Sequence, residues 1–138
     1  GFRTLAFVDG DEDGLLRRRM EEAVIRTAEE FGVALHRRED VQTGVWHGDD
    51  KVCAIGVRLM RARVTLHGFA LNCATDLAYF NAIVPCGMPE VAACSLSSLL
   101  GRQVPVAEAL PVVEHRLAER LERTPIPVDP ATLDLPFA

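Results

Sequence analysis

Residues 51–71 read KVCAIGVRLMRARVTLHGFAL, and this stretch decides the fold of the chain. Two runs rich in β-branched and apolar residues, 51–60 and 64–71, flank a short basic segment, which is the pattern of a β-hairpin. The first run is apolar at odd and even positions alike, which predicts a strand buried on both faces. Gly56 and Gly68 interrupt the two strands. A glycine inside a strand marks a bulge, the close approach of a ligand or a simple packing gap, and the sequence leaves all three open.

The residues before this hairpin predict an amphipathic helix among short strands. Strand patterns cover residues 3–8, 33–35 and 41–46. Asp11 or Asp13 is positioned to cap the helix at its start, and a glycine follows its end. The buried face of the helix is predicted from residues that recur with the helical period: Leu16, Met20, Ala23, Val24, Thr27, Ala28 and Phe31.

The residues after the hairpin predict further helices. Short helices are expected at 76–80 and 95–100, separated by a loop that contains proline and glycine. A longer helix is expected over 105–122, either kinked at Pro111 or regular only from that point. Residues 124–138 hold four of the eight prolines and predict an extended tail. The buried stripe of the long helix is predicted from its apolar period: Val106, Leu110, Val113, Leu117 and Leu121.

The composition is that of one globular domain. The chain has 138 residues, of which 49% are hydrophobic and 25% charged, and this excludes a disordered or fibrous protein. With the predicted elements it favours an α+β fold in which helices flank a mixed, largely antiparallel sheet. The net charge of −5 argues against a nucleic-acid partner, and no apolar run is long enough to span a membrane. No segment has the pattern of a secretory signal, so we expect a cytoplasmic protein with reduced thiols.

Cys86 and Lys51 are the residues best suited to chemistry. Cys86 stands between Pro85 and Gly87 after an apolar run, an arrangement that presents a thiol at the mouth of a loop. Lys51 is the only lysine, since the other 14 of the 15 basic residues are arginines. Because an ammonium close to a thiol stabilises the thiolate, Lys51 is a candidate to activate Cys86 if both lie at the same end of the sheet. A structural cysteine and the chance survival of one lysine are the alternative that the residues leave open.

Other polar residues have more than one interpretation. His67, inside the second strand, is a ligand, a general base or a satisfied core residue. A metal site that combines this histidine with the cysteines fits no zinc spacing, so no metal or other cofactor is expected. The cysteine spacing also disfavours thiol redox chemistry. The arginines near the hairpin turn either solvate its tip or bind a phosphate or an acidic partner: Arg58, Arg61 and Arg63.

Several short motifs occur in a fixed order along the chain. They are residues 44–46 (GVW), 51–58 (KVCAIGVR), 65–72 (TLHGFALN), Phe80, 83–87 (IVPCG) and 95–96 (SL). Their order and spacing resemble those of the lipoate–protein ligase B family, the lipoyl(octanoyl) transferases. The resemblance is dense over residues 44–101 and looser over 1–123.

The resemblance implies a fold, an activity and a set of site residues. The fold is that of the biotin and lipoate protein ligases. The activity is transfer of an octanoyl group from octanoyl-acyl carrier protein to a lysine of the lipoyl domains of 2-oxoacid dehydrogenases or of the glycine-cleavage H protein. The family nucleophile matches Cys86, and the lysine that lowers the pKa of its thiol matches Lys51. The acyl-binding residues of the family match Ala54, Ile55, Gly56, His67, Gly68, Phe69 and Ala70.

The resemblance also indicates which part of the family domain the chain represents. Gly1-Phe2-Arg3 aligns just after the family's Arg-Gly-Gly and His-Gly-Pro-Gly-Gln loops. Residues 1–123 are therefore expected to be the C-terminal portion of an octanoyltransferase catalytic domain, followed by the proline-rich tail. The sheet face that bears Ile55, Phe69 or Leu71 is expected to line the slot for the octanoyl tail. The alternative is a non-catalytic remnant of the fold that binds a lipoyl or carrier domain.

Overall fold

The computed structural model of the chain describes residues 14–39, 43–60, 64–76 and 92–132. The described helices and strands, in chain order, are α1 Leu15–Glu30, β1 Gly44–His47, β2 Asp50–Met60, β3 Val64–Leu71, α2 Leu96–Leu100 and α3 Val106–Leu121. A 3-10 turn follows at Pro130–Thr132. In the described ranges, no helix combines the length and the hydropathy that crossing a membrane requires.

The three strands form a sheet in the order β1-β2-β3, with antiparallel pairing throughout. The β2–β3 hairpin pairs without a register shift. Between Val45 and Trp46 the β1–β2 register shifts by one residue, so that Trp46 lies opposite Lys51. A separate parallel bridge joins Lys51 to Ala93. The predicted α+β fold with a mixed, largely antiparallel sheet is confirmed.

One face of the sheet carries the hydrophobic core. Helix α1 packs against β1, β2 and α3. Val45, Cys53 and Ile55 of the sheet are at most 4% exposed and belong to the same core cluster as the helix residues. The predicted apolar face of α1 is confirmed at Met20, Ala23, Val24, Thr27 and Ala28, which are buried. Leu16 and Phe31 are partly buried against the same core. Glu21, which the pattern does not predict to be buried, is buried as well.

The structure places Gly14 at the N-cap position of α1. The helix begins after Gly14, whose φ is +86°. A glycine at the N-cap has no side chain that could accept a hydrogen bond from the first turn. A glycine occupies this left-handed position because it has no Cβ to clash with the backbone. Asp11 and Asp13 lie outside the described residues. Gly32, with φ +82°, follows the end of the helix as predicted.

The strand predicted at 33–35 is wrong. Val33 and Leu35 are buried in an extended segment, which explains their strand-like pattern, but neither belongs to a strand. Within the described ranges the segment pairs at His36 alone, which exchanges two backbone hydrogen bonds of 2.9 Å with Trp46. Trp46 is therefore held on both edges of β1.

The expectation that residues 51–60 are buried on both faces fails at two of the described positions. Val52, Cys53 and Ile55 are buried, whereas Ala54 and Gly56 are exposed. Alanine and glycine count as apolar in a sequence pattern, but their small surfaces give little free energy on burial. The pattern therefore does not separate a covered face from a bare one.

The helices predicted at 95–100 and 105–122 are confirmed as α2 and α3. Ser95 and Ser98 form a reciprocal capping pair at the start of α2, and Gly101, with φ +67°, ends it. Helix α3 begins after Pro105 and continues through Pro111, so a helix that is regular only from Pro111 is excluded.

The buried stripe of α3 is shorter than predicted. Leu117 and Leu121 are buried, but Val106 is 49% exposed because it lies in the first turn of the helix. Beyond the helix, residues 123–129 form neither helix nor strand, and Ile126 and Val128 are exposed. The predictions for residues 3–8, 61–63, 77–91 and 133–138 fall outside the described residues.

Candidate active site

Lys51 lies near the start of β2, where the returning chain holds its backbone. Its N–H donates to the carbonyl of Ala92 at 2.9 Å, and its carbonyl accepts from the N–H of Cys94 at 3.0 Å. On the other edge of β2, Trp46 lies opposite Lys51. The position of Lys51 in the sheet is therefore fixed from both sides.

The two ends of the segment that contains Cys86 are joined beside Lys51. After β3, Asn72 donates its backbone N–H to the carbonyl of Val52 at 3.0 Å and its Nδ2 to the carbonyl of Cys94 at 3.1 Å. Cys86 itself lies outside the described residues, six positions before the described chain resumes. Six residues span at most about 20 Å. Both anchor points therefore lie at the end of the sheet that carries Lys51.

The side chain of Lys51 crosses one residue of β1 and ends over another. Its Nζ lies 4.7 Å from the centroid of the Trp46 ring. A Cβ built on Gly44 would lie 3.5 Å from Cε and 3.6 Å from Cδ of Lys51. Neither Gly44 nor Trp46 is a predicted site residue. The sequence signal for these two residues is a glycine two positions before a tryptophan. It indicates a role beside Lys51 only when the pairing of β1 with β2 is known.

Four of the predicted acyl-binding residues form a bare strip on the open face of the hairpin. Ala54 pairs with Ala70, and Gly56 pairs with Gly68. Ala54, Gly56 and Ala70 are exposed. A Cβ on either glycine would meet nothing within 4 Å, and the register is regular. These glycines therefore mark neither a bulge nor a crowded packing position, and the close approach of a ligand and a simple packing gap both stay open.

The other predicted acyl-binding residues lie elsewhere. Ile55 is 4% exposed in the core, and Phe69 and Leu71 are partly buried against it. Since alternate residues of a strand face opposite ways, these side chains do not share the strip of small residues. The octanoyl slot expected on their face stays a prediction. His67 pairs with Val57 through the backbone, and its side chain lies outside the description.

Residues 7–118 match the model of the lipoyl protein ligase A/B catalytic domain. The chain belongs to this family. The match contains Lys51, the strip of small residues and Cys86, so the resemblance drawn from the sequence motifs is confirmed.

Curated members of the lipoyl protein ligase family align with most of this chain. It is 49% identical over 111 residues to an octanoyltransferase of Salinispora tropica, covering 76% of this chain and 51% of the relative. It is 43% identical over 105 residues to the mitochondrial octanoyl-[acyl-carrier-protein]:protein N-octanoyltransferase of Danio rerio, covering 76% and 46%. The chain thus spans about half the length of the curated relatives that it matches.

Solved structures show the same fold. A lipoate-protein ligase A bound with ATP superposes with a TM-score of 0.66 at 20% identity, covering 86% of this chain and 49% of that one. The apo biotin protein ligase of Aquifex aeolicus gives a TM-score of 0.60 at 18% identity, covering 78% and 45%. The predicted likeness to the biotin and lipoate protein ligase fold is confirmed.

Within this family domain, the described cysteines are buried and free. Burial raises the pKa of the Cys53 and Cys73 thiols. Burial, with a smaller contribution from the charge of Asp50, raises the pKa of Cys94 to about 11. Protonated thiols are poor nucleophiles, so these three cysteines are unsuited to acyl transfer at neutral pH. Cys86 is the remaining cysteine of the sequence.

Metal chemistry finds no support in the described ranges. There, no three His, Cys, Asp or Glu side chains come close enough together to hold an ion. The predicted arginine patch around Arg58, Arg61 and Arg63 falls on side chains outside the description. Its two interpretations stay open.

Proposed function

We propose that this chain carries the acyl-transfer centre of an octanoyltransferase of lipoate biosynthesis, with Cys86 as nucleophile and Lys51 as its basic partner. The observation that carries the proposal is the joining of both ends of the Cys86 segment, through Asn72 and Cys94, beside Lys51. The relatives support the same activity. The Salinispora protein is named an octanoyltransferase, and the name of the Danio protein specifies an octanoyl-acyl carrier protein donor and a protein acceptor.

In the first step, the Cys86 thiolate attacks the thioester carbonyl of octanoyl-acyl carrier protein. A carbon–sulfur bond to Cys86 forms, and the bond to the carrier sulfur breaks. The carrier thiol leaves with a proton that the Lys51 ammonium donates. This transfer leaves a thioester on Cys86 and a neutral amine on Lys51.

In the second step, a lysine amine of the acceptor attacks the Cys86 thioester. A carbon–nitrogen bond forms, the bond to the Cys86 sulfur breaks, and Lys51 accepts the amine proton. The products are the octanoylated acceptor and the original pair of thiolate and ammonium. We propose lipoyl domains of 2-oxoacid dehydrogenases and the glycine-cleavage H protein as the acceptors.

The acyl chain has a suitable surface on the open face of the hairpin. The pairs Ala54–Ala70 and Gly56–Gly68 present methyl groups and bare backbone. An octanoyl chain laid on this strip loses apolar surface to the protein, worth about 0.8 kcal/mol for each buried methylene. The proposal therefore assigns acyl contact to the bare strip.

The proposal also includes the extent and location of the domain. Residues 1–123 would form the C-terminal portion of the catalytic domain, and 124–138 a tail. The free thiols of Cys53, Cys73 and Cys94 agree with a reducing compartment, and we propose the cytoplasm.

Acylation by octanoyl-acyl carrier protein tests the proposal. Intact-mass and peptide analysis of the chain after incubation should locate one octanoyl group on Cys86. Cys86→Ser should abolish the thioester, and Lys51→Met should slow its transfer by roughly 10²–10⁴-fold. Cys94→Ala is the matched control, because a buried protonated thiol contributes nothing to the reaction.

A folded chain that never acquires an octanoyl group contradicts the proposal. Binding of a lipoyl domain or carrier protein without acylation would support the alternative of a non-catalytic binding module. Surface plasmon resonance with each domain, alongside the mass analysis, separates the two functions.

A further inference from the structure

The ammonium of Lys51 is held by an aromatic face. Its Nζ lies 4.7 Å from the centroid of the Trp46 ring, within the distance at which a cation is attracted to the negative face of an aromatic system. No ion pair within 4.0 Å joins Lys51 to a carboxylate in the described part of the chain. The close electrostatic contact that the described structure gives the Lys51 ammonium is therefore the one with the Trp46 ring.

The surroundings of Trp46 hold the ring in place. It is 1% exposed, and its backbone exchanges two hydrogen bonds with His36 while Lys51 lies opposite on β2. A second cation also faces the ring, since Cζ of Arg38 lies 5.2 Å from its centroid. A ring that is fixed in this way can fix a cation in turn.

The β-bulge brings Lys51 to this ring. Val45 pairs with Cys53, and Trp46 pairs with Lys51, so β2 contains one extra residue between the two pairs. Without it, the unshifted register would place Lys51 opposite His47. The bulge thus exchanges an exposed histidine for a buried aromatic face as the neighbour of Lys51.

Gly44 leaves room for the stem of the same side chain. A Cβ at Gly44 would lie 3.5 Å from Cε of Lys51, so the stem passes directly over the glycine. Alternate residues of a strand share a face, and Gly44 and Trp46 are two positions apart. Val45 between them is fully buried in the core. The GVW triplet thus places the stem, the core contact and the ammonium in one stretch of strand.

The indole of Trp46 has a cost that phenylalanine would avoid. Its Nε1 is buried and has no hydrogen-bond partner in the described structure. Leaving a buried donor unpaired opposes folding. Tryptophan also provides the strongest aromatic face for a cation. The contact of the ring face with a cation is thus a reason for tryptophan that phenylalanine would satisfy less well.

We propose that Trp46 is a positioning residue that aims the Lys51 ammonium without neutralising it. A carboxylate partner would also hold Lys51, but its negative charge would cancel much of the field that stabilises a thiolate. A ring face orients the cation and carries no net charge, so the full positive charge remains available to Cys86. This role rests on the proposed function, in which Cys86 reacts as a thiolate.

The single lysine permits a direct test in the unaltered sequence. Reductive methylation with ¹³C-formaldehyde keeps the charge and labels Lys51 and the chain N-terminus, and Lys51→Arg identifies the lysine signal. The N-methyl protons of Lys51 should resonate upfield of their position in urea and show nuclear Overhauser contacts to the Trp46 indole. The absence of both signatures in the folded chain overturns the proposal without any change at Trp46.

Variants at Trp46 then connect the contact with thiol reactivity. Trp46→Leu keeps an apolar side chain without a π face, Trp46→Phe keeps a weaker face, and His47→Ala is the control on the same strand. The pH profile of Cys86 alkylation should move up by about 0.5–1 pH unit in Trp46→Leu, which is a roughly three- to tenfold lower rate near pH 7. Trp46→Phe should recover part of this loss, and His47→Ala should match the parent chain.

The outcomes separate this role from the proposed function. If Lys51→Met leaves the pH profile of Cys86 alkylation unchanged, Lys51 does not activate Cys86, and the proposed role of Trp46 is overturned as well. A profile that shifts in Lys51→Met but stays in place in both folded Trp46 variants overturns the role of Trp46 alone. If Trp46→Leu does not fold, Trp46→Phe and the contacts measured in the parent chain decide the question.

Discussion

Gly56 on β2 lies directly opposite Gly68 on β3, and a Cβ on either residue would extend into open space. Neither position has the positive φ that favours glycine. Local structure therefore does not require glycine here, and a ligand that lies against the backbone would.

Alanine at these positions should separate stability from function. Gly56→Ala and Gly68→Ala should leave the free energy of unfolding unchanged or raise it by up to about 1 kcal/mol, because alanine restricts the unfolded chain. Acylation of Cys86 should fall in both, and further in Gly56→Val. Urea unfolding and acylation rates give the two quantities. Variants that gain stability and retain full acylation would remove the bare strip from the acyl site.

Gly44→Ala should behave in the opposite way. A Cβ at Gly44 would lie 2.5 Å from the carbonyl oxygen of Cys53, which is backbone and cannot swing aside. Crowding of this kind typically costs about 1–3 kcal/mol, and we expect a loss of that size in urea unfolding. Gly56→Ala is the matched control, being the same change on the paired strand with no atom in the way. Equal stability of the two variants would contradict the close approach of β1 and β2.

Cys94 should make the fold sensitive to alkali. Its pKa is raised to about 11 by burial, whereas the thiol of an unfolded chain ionises near pH 8.5. The folded state therefore retains a proton that the unfolded state releases, and stability falls as pH rises from about 8.5 to 11. Thermal unfolding under reducing conditions should show a shallower pH slope in Cys94→Ala, by up to about 1.4 kcal/mol per pH unit. Parallel slopes would place Cys94 in contact with water.

Glu21 should make the free energy of unfolding depend on pH in a more acidic range. Burial raises the pKa of its carboxyl, although Arg37 lies 3.2 Å away and Arg17 3.9 Å away. With the folded pKa above the unfolded one, the stabilising contribution is complete below pH 4.5 and is lost as pH rises through the folded value. Unfolding free energies from pH 4.5 upward should therefore fall more steeply in the parent chain than in Glu21→Gln.

A carboxyl with the opposite shift provides the control for Glu21. The hydrogen bond and charge of Arg102 lower the pKa of the exposed Glu108, so its stabilising contribution is complete above pH 4.5 and is lost as pH falls through the folded value. Glu108→Gln should therefore change the dependence of the unfolding free energy on pH below about 4.5, and in the opposite sense to Glu21→Gln. The same sign for both variants would contradict burial as the cause at Glu21.

The sequence predicts the positions of helices and strands better than it predicts their burial and their pairing partners. Strand β3 matches its predicted bounds, because β-branched residues and the preceding basic stretch of sequence delimit it. The periodic face of α1 is likewise readable from spacing alone. In contrast, Val33 and Leu35 have strand-like residues without a strand partner, since burial of an extended segment leaves the same pattern as a ladder.

The site shows the same division. Residue type and spacing single out Lys51 and Cys86, whereas the predicted small residues of the open face come from the resemblance to the family. The contact of Lys51 with Trp46 depends on a one-residue register shift, which no local pattern encodes. A role for Trp46 and Gly44 beside Lys51 therefore follows only from the pairing of β1 with β2.

Asn72 fastens two separate stretches of chain at one place, because its backbone N–H donates to the carbonyl of Val52 and its Nδ2 donates to the carbonyl of Cys94. A single residue thus ties the end of the hairpin to the chain that leads into α2. Loss of its side-chain amide would loosen that tie beside the strand that carries Lys51.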